Sequence, residues 1–248
     1  VRVDYVRLDD PENTGTLASP KYQYASPVSP PVGADTPTTT GAKISDGTMY
    51  VNNGFWDTYR TVWSGYSFFY PGQAGELVDG FVQQYRDGGW VARWSSPGYA
   101  NLMTGTSSNV AFTDSYVKGI RNYNVKDVYD AALKDATVAP PGPDPNDTNV
   151  GRKGLQTSLF LGFTPTYVDE GVSWALESDI NDFGIANMAK LLAADPQATA
   201  AARQRYAEES EYFFERARNY VNMFDPAIGF FQGRAADGVW KSTPADFD

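Results

Sequence analysis

The rhythm of hydrophobic positions changes near residue 55. Residues 1–8 alternate weakly between apolar and polar, as a short strand does. Pro20, Pro27, Pro30, Pro31 and Pro37 follow, the last leading into Thr38-Thr39-Thr40, which is too much proline for a helix. Residues 44–51, around Asp46-Gly47, predict a short hairpin. From Phe55 the period becomes 3.6. Phe55, Tyr59, Val62, Trp63, Tyr66 and Phe69 share one face, and Pro71 ends the segment. Residues 74–86 repeat the pattern through Leu77, Val78, Phe81, Val82 and Tyr85, and Gly88-Gly89 stops it. Residues 90–98 read as a loop, 107–119 and 125–135 as helices, and the proline-rich stretch 139–154 as the clearest loop. A long helix is predicted over 170–193. Asp195-Pro196 then sets an N-cap with proline in the first turn, and a second long helix runs to about 223 with Tyr206, Phe213, Ala217, Tyr220 and Phe224 on its buried face.

These elements describe a mainly α fold of six or seven helices, preceded by a short extended connecting segment. No strand–helix–strand alternation appears, and no glycine-rich phosphate loop. A helical bundle and a helical toroid are both open. In the 170–193 helix, Val172, Leu176, Ile180 and Phe183 lie on one side, and Trp174, Ile185 and Met188 turn onto another. A helix apolar nearly all round is expected to be buried all round. Ser173, Glu177, Asn181 and Gly184 form a polar strip on it, and polar groups on a buried helix need partners or a cavity.

Composition narrows the chemistry. The 248 residues include no His and no Cys. That excludes a Ser-His-Asp or Cys-His nucleophile within this chain and any ordinary zinc, haem or iron–sulfur site. A metal here would be hard and oxygen-ligated, and acid/base work falls to carboxylates, Tyr or Lys. The net charge of −10 argues against nucleic acid and suits an anionic membrane surface poorly. The aromatic share of 15% is high, as in proteins that bind neutral sugars. No apolar run approaches the roughly 18 residues of a membrane-spanning helix, and the N-terminus shows no apolar signal segment. A calcium loop starting at Asp144 lacks its glycine and its closing Glu. The triplet Asn146-Asp147-Thr148 matches a glycosylation sequon, a pattern common by chance.

Several residues are candidates for function. Asp57, after Trp56 at the start of a helix, reads either as an acid favouring the helix dipole or as a partner for sugar hydroxyls beside an aromatic platform. Arg93, between Trp90 and Trp94, reads as part of a surface cluster or of a pocket wall. Glu177 lies mid-helix among apolar residues with no Lys or Arg within one turn. An unpaired, desolvated carboxyl has the raised pKa of a general acid; the alternative is a counter-ion supplied from a distant helix. Asp179 and Asp182 read as salt-bridge or cap groups, and Asp114 reads equally as a functional carboxylate or as a buried structural acid.

Taken in order, the motifs resemble the calcium-dependent α-mannosidases of glycoside hydrolase family 92. The resemblance is carried by Tyr50-Val51-Asn52-Asn53-Gly54-Phe55-Trp56-Asp57-Thr58-Tyr59-Arg60, Gly89-Trp90-Val91-Ala92-Arg93-Trp94-Ser95-Ser96-Pro97-Gly98 and Ala111-Phe112-Thr113-Asp114-Ser115-Tyr116-Val117-Lys118-Gly119. Ser173-Trp174-Ala175-Leu176-Glu177 with Asn181-Asp182-Phe183, then Arg216-Ala217-Arg218-Asn219-Tyr220, Phe224-Asp225-Pro226, Gly233-Arg234 and Asp237-Gly238 continue it. It implies part of an (α/α)6 toroid and an inverting exo-α-mannosidase acting on N-glycan or mannan mannose. Glu177 would be the acid, and Trp56, Asp57 and Arg93 would bind the mannose. Residues 1–54 would be an extended linker from an N-terminal β-sandwich region, and 55–248 the first half of the catalytic toroid. Calcium is the implied cofactor, with its ligands and the catalytic base expected outside this chain, so that the remainder of the enzyme is a partner and no metal ligand is assigned here. Where many members carry His before the Asp114 helix this chain has Ser107-Ser108, and Asn181-Asp182 stands where two Asp are frequent. The resemblance implies a secreted or cell-surface location. Alternatives are a non-catalytic helical sugar-binding fragment and a mannosyl-phosphate hydrolase.

Overall fold

Phe55 opens the helical part and sits at the centre of its core. The computed structural model describes residues 2–3, 22–38 and 40–247. It contains short strands β1 (Arg2–Val3), β2 (Gln23–Ala25), β3 (Ile44–Asp46) and β4 (Met49–Tyr50) ahead of helices α1 (Phe55–Thr58), α2 (Val62–Phe69), α3 (Pro71–Gly88) and α4 (Ser108–Val117). Helices α5 (Val125–Thr137), α6 (Leu155–Leu161), α7 (Gly171–Ala193) and α8 (Ala200–Arg216) follow, then a 3-10 turn (Asn219–Met223) and the ribbon β5 (Phe224–Asp225) and β6 (Phe230–Phe231). The mainly α class expected from the sequence is the class observed.

The first four helices each bring an aromatic ring to the centre of the core. Phe55 stacks on Trp63 at 5.4 Å and meets Phe81 and Phe112 edge-on at 5.1 and 5.5 Å. Such aromatic pairs add about 0.5–1.5 kcal/mol each to the burial itself. Helix α7 packs on α4 and α8. Gly184 permits the close approach to α4, since a Cβ there would stand 3.2 Å from the Asn109 carbonyl oxygen.

The extended segment is sewn to α3. Tyr24, Met49 and Val51 form a small buried cluster. The Tyr24 hydroxyl donates to Asp87 at 2.7 Å, and Gln84 Nε2 donates to the Tyr50 carbonyl at 3.0 Å.

Several local expectations change. The hairpin over 44–51 does not form: β3 pairs with β2 and β4 with β1, so the turn at Gly47 (φ +112°) passes the chain between two ribbons. Of the strand expected over 1–8, only Arg2–Val3 is described, and it is strand; the rest lies outside the described residues. The single helix from Phe55 breaks at residues 59–61, where Thr61 leaves helical geometry (φ −137°). Pro71 does not merely end that helix but starts α3, where its missing N–H costs nothing. Asp195 closes a local turn by accepting from the Gln197 N–H, and Thr199 instead caps α8 by accepting from the Ala202 N–H. Tyr220 and Phe224 fall beyond α8 and are exposed. Helix α6, between Gly154 and Gly162, was not expected from the pattern.

Helix α7 is not buried all round. Trp174, Ala175, Ile185, Ala186, Met188 and Ala189 face the core, but Ile180 is 44% and Phe183 55% exposed. They line an open apolar groove with Leu176, Ala217 and Tyr220.

Candidate active site

Because Phe55 points into the core, Trp56 and Asp57 turn outward, Trp56 half-buried and Asp57 exposed. Segment 53–55 runs against 93–95: the Phe55 N–H donates to the Arg93 carbonyl at 3.2 Å and the Ser95 N–H to the Asn53 carbonyl at 3.1 Å. This brings Trp94 opposite Gly54. A Cβ at Gly54 would stand 2.4 Å from both Asp57 Oδ2 and the Trp94 ring. Glycine is what lets that carboxylate and that indole close over the backbone.

Arg60 lies one turn beyond Trp56. Its Nη1 donates to the Trp56 carbonyl at 2.5 Å, and its guanidinium carbon stands 4.7 Å from the Trp56 ring and 4.4 Å from the Tyr59 ring. Its Nη2 reaches Glu177 Oε1 at 2.5 Å. Tyr59 donates its hydroxyl to Glu177 Oε2 at 3.1 Å. Burial and the Glu177 charge push the Tyr59 phenol up to about 12, so it stays a donor at neutral pH.

Glu177 is 8% exposed on the middle of α7, as a desolvated acid should be. The premise that it is unpaired does not hold. Its counter-ion comes from α1's end, 117 residues away, which is the distant-partner alternative. The next turn of the polar strip is structural: Asn181 Oδ1 accepts from the Thr106 N–H at 2.6 Å and so draws the 104–107 turn onto α7. Gly105 of that turn touches the Glu177 stem, where a Cβ would be 2.9 Å from Glu177 Cβ.

Arg93 is not part of this surface. It is 2% exposed and lies on the ring of Trp174 at 4.9 Å. It donates to the carbonyls of Gly151 (3.0 Å) and Thr148 (2.7 Å) and to Asn101 Oδ1 (3.1 Å). Neither the surface cluster nor the pocket wall expected from sequence describes it; it braces the 139–154 loop. Burial pulls its guanidinium down to about 10. Asp114 is half-buried rather than buried, paired with Lys118 at 2.5 Å and accepting from the Ser64 hydroxyl at 3.0 Å.

The model of the glycosyl hydrolase family 92 catalytic domain matches residues 18–248. The chain belongs to glycosyl hydrolase family 92. No curated protein matches the sequence. Among solved structures, the family 92 inverting mannosidase BT2199 of Bacteroides thetaiotaomicron VPI-5482 is similar with a TM-score of 0.76 and 26% identity, over 92% of this chain and 27% of that one. The α-mannosidase BT3965 of Bacteroides thetaiotaomicron, in complex with mannoimidazole, shares the fold at a TM-score of 0.65 and 20% identity, over 81% of this chain and 24% of that one. This family 92 chain therefore spans about a quarter of the length of the mannosidases it resembles.

Behind Glu177, the family 92 chain carries a second charged layer. Asp182 is held between Arg152 Nη1 (2.6 Å) and Arg216 Nε (2.9 Å), the salt-bridge role expected of it. Burial and the Asp182 charge push Asp179 up to about 8. Asp135 is fully buried, neither of its oxygens has a hydrogen-bond partner, and burial pushes it up to about 7 against the pull of Arg152 and Arg93.

Sequence reasoning missed Arg60, Tyr59 and the Thr106–Asn181 tie. Arg60 carried one usable signal: four residues after Trp56, it shares the outward face of the same turn.

Proposed function

We propose that the protein hydrolyses terminal α-mannosyl linkages of N-glycans or mannans as an exo-acting, inverting mannosidase, with these helices forming part of an (α/α)6 toroid. The observation that carries this reading is the convergence of Glu177 with the Trp56–Asp57 edge through Arg60 and Tyr59. A desolvated acid stands beside an aromatic face and an exposed carboxylate, on a family 92 chain. Trp56 stacks on the terminal mannose, and Asp57 accepts hydrogen bonds from its hydroxyls. Glu177 protonates the departing glycosidic oxygen while water adds at the anomeric carbon from the opposite face. Arg93, sealed beneath, contributes by fixing the Trp94 loop and leaves sugar contact to others.

Single displacement also requires a base, roughly 6.5–9.5 Å from the acid, and none is assigned to this chain. Among the described residues no group of three or more acidic side chains gathers to hold a metal ion. The calcium implied by family resemblance has its ligands expected outside this chain, and no step is derived through it. The linkage preference is set by whatever contacts the sugar beyond the cleaved bond.

The test is hydrolysis of an α-mannobiose by the protein at its full natural length, followed by proton NMR before mutarotation. The reading expects β-mannose first. The α anomer first would overturn inversion, and no mannose release would overturn the activity.

A further inference from the structure

Glu177 is flanked by two segments. The Trp56–Asp57 segment meets its carboxylate through Tyr59 and Arg60. The 104–107 turn meets its stem, where a Cβ on Gly105 would stand 2.9 Å from Glu177 Cβ. In the proposed hydrolysis Glu177 stands at the oxygen shared by two sugars. The terminal mannose takes the first side, against Trp56 and Asp57, and the departing sugar lies towards the second.

One stretch of chain crosses from one side to the other. It starts at Trp94, whose ring closes on Gly54 beside Asp57. The Ala100 N–H donates to the Trp94 carbonyl at 3.0 Å, and five residues later Gly105 reaches Glu177. The crossing is pinned at both ends. Asn101 Oδ1 accepts from Arg93 Nη2 at 3.1 Å, and its Nδ2 donates to the Asn146 carbonyl at 3.2 Å. The Thr106 N–H donates to Asn181 Oδ1 at 2.6 Å. Between the pins, Leu102 is 47% and Met103 44% exposed.

An exposed Leu or Met is ordinary on a protein surface. These two differ in place and in backbone. They stand three and two residues from Gly105, on the stretch that joins the Trp94 edge to Glu177. Met103 has a φ of +55°, left-handed backbone that a side chain of its size rarely adopts. Such a conformation persists only where its surroundings impose it, and the pins on either side do so.

The geometry points to Leu102 and Met103 as the platform for the sugar beyond the cleaved bond, specificity-determining residues that pack on the C–H face of the departing ring. A pyranose carries most of its hydroxyls around its rim and C–H groups on its faces. An apolar side chain therefore takes a face and leaves the rim to water. Met adapts its shape to the ring it meets. A methyl aglycone offers no such face. This inference rests on the mannosidase reading, with Glu177 at the cleaved bond.

The experiment measures kcat/KM on methyl α-mannoside and on the α-mannobiose that the wild type cleaves fastest, for wild type, Leu102→Ser and Met103→Asn, with the protein at its full natural length. Asn accepts left-handed backbone, so Met103→Asn removes the apolar side chain and keeps the turn. The ratio of α-mannobiose to methyl α-mannoside is expected to fall about 5–10-fold in each variant, the worth of partly burying one apolar side chain. An unmoved ratio, whether from no loss or from an equal loss on both substrates, would overturn the platform. Loss of fold in both variants would overturn it too, by making the pair structural. The wild type separates the two readings. If it releases no mannose from either substrate, the mannosidase reading has failed; if it releases mannose and both variants keep its ratio, only the platform has.

Discussion

Trp174 carries the guanidinium of Arg93 on its ring at 4.9 Å and stands one turn ahead of Glu177 on the same helix. Glu177 therefore rests on a floor built from α7, the 93–95 strand-like segment and the 139–154 loop. The residues proposed to touch sugar and the residues that hold them belong to different layers.

Arg93→Met removes the donors that satisfy the Gly151 and Thr148 carbonyls. Hydrogen bonds to a charged group contribute about 1.5–3 kcal/mol each, and carbonyls left buried add a penalty. The expected loss is about 3 kcal/mol or more in chemical denaturation. Trp56→Ala, at the half-exposed edge, is expected to raise KM with little change in stability.

Asp182→Asn leaves Arg152 and Arg216 without their shared counter-charge. Breaking such a buried pair costs about 3–5 kcal/mol. Thermal unfolding should show that loss at low and at high salt, because buried pairs are poorly screened.

Asp179 gives stability a pH dependence. Its carboxyl, which ionises at 3.8 when unperturbed, is pushed up to about 8 in the fold. Between these values the folded state holds a proton that the unfolded chain has released, so stability falls as pH rises from about 4 to about 8. Asp135, pushed up to about 7, acts in the same direction. Asp179→Asn cannot ionise. Its melting temperature is expected to match the wild type at pH 4 and to exceed it at pH 8. A gap that is the same at both pH values would remove Asp179 as the cause.

Gly54→Ala places a Cβ 2.4 Å from Asp57 Oδ2 and from the Trp94 ring. Asp57 or Trp94 must shift, and a displacement near 1 Å in a positioning group costs about 100-fold in rate. Steady-state kinetics on α-mannobiose should show it, while the circular dichroism spectrum stays unchanged.

How far the sequence reveals this site depends on the reach of each signal. Helices α3, α5 and α7 were legible because each is long enough to repeat its apolar face. Helix α6 was not, since seven residues between two glycines hold no period. The strand at 44–46 was legible as strand but not its partner, which lies about twenty positions upstream. Ile180 and Phe183 announce an apolar face, yet a pattern registers only that a face is apolar, not that something covers it. Glu177 and the Trp56–Asp57 pair were visible as candidates from type and spacing. Arg93 was visible too, but nothing in its neighbours tells a sugar contact from a buried brace. The Arg60–Glu177 pair spans 117 positions and exists only once α1 and α7 meet.

Donation of a proton by Glu177 to the leaving oxygen is the step on which the proposed hydrolysis turns. Its most direct measurement compares Glu177→Gln with wild type on α-mannobiose and on 2,4-dinitrophenyl α-mannoside, whose leaving group departs without protonation. The account predicts a loss of about 10²–10⁴-fold on the first substrate and a rate near wild type on the second. An equal loss on both, or no loss on either, would contradict it.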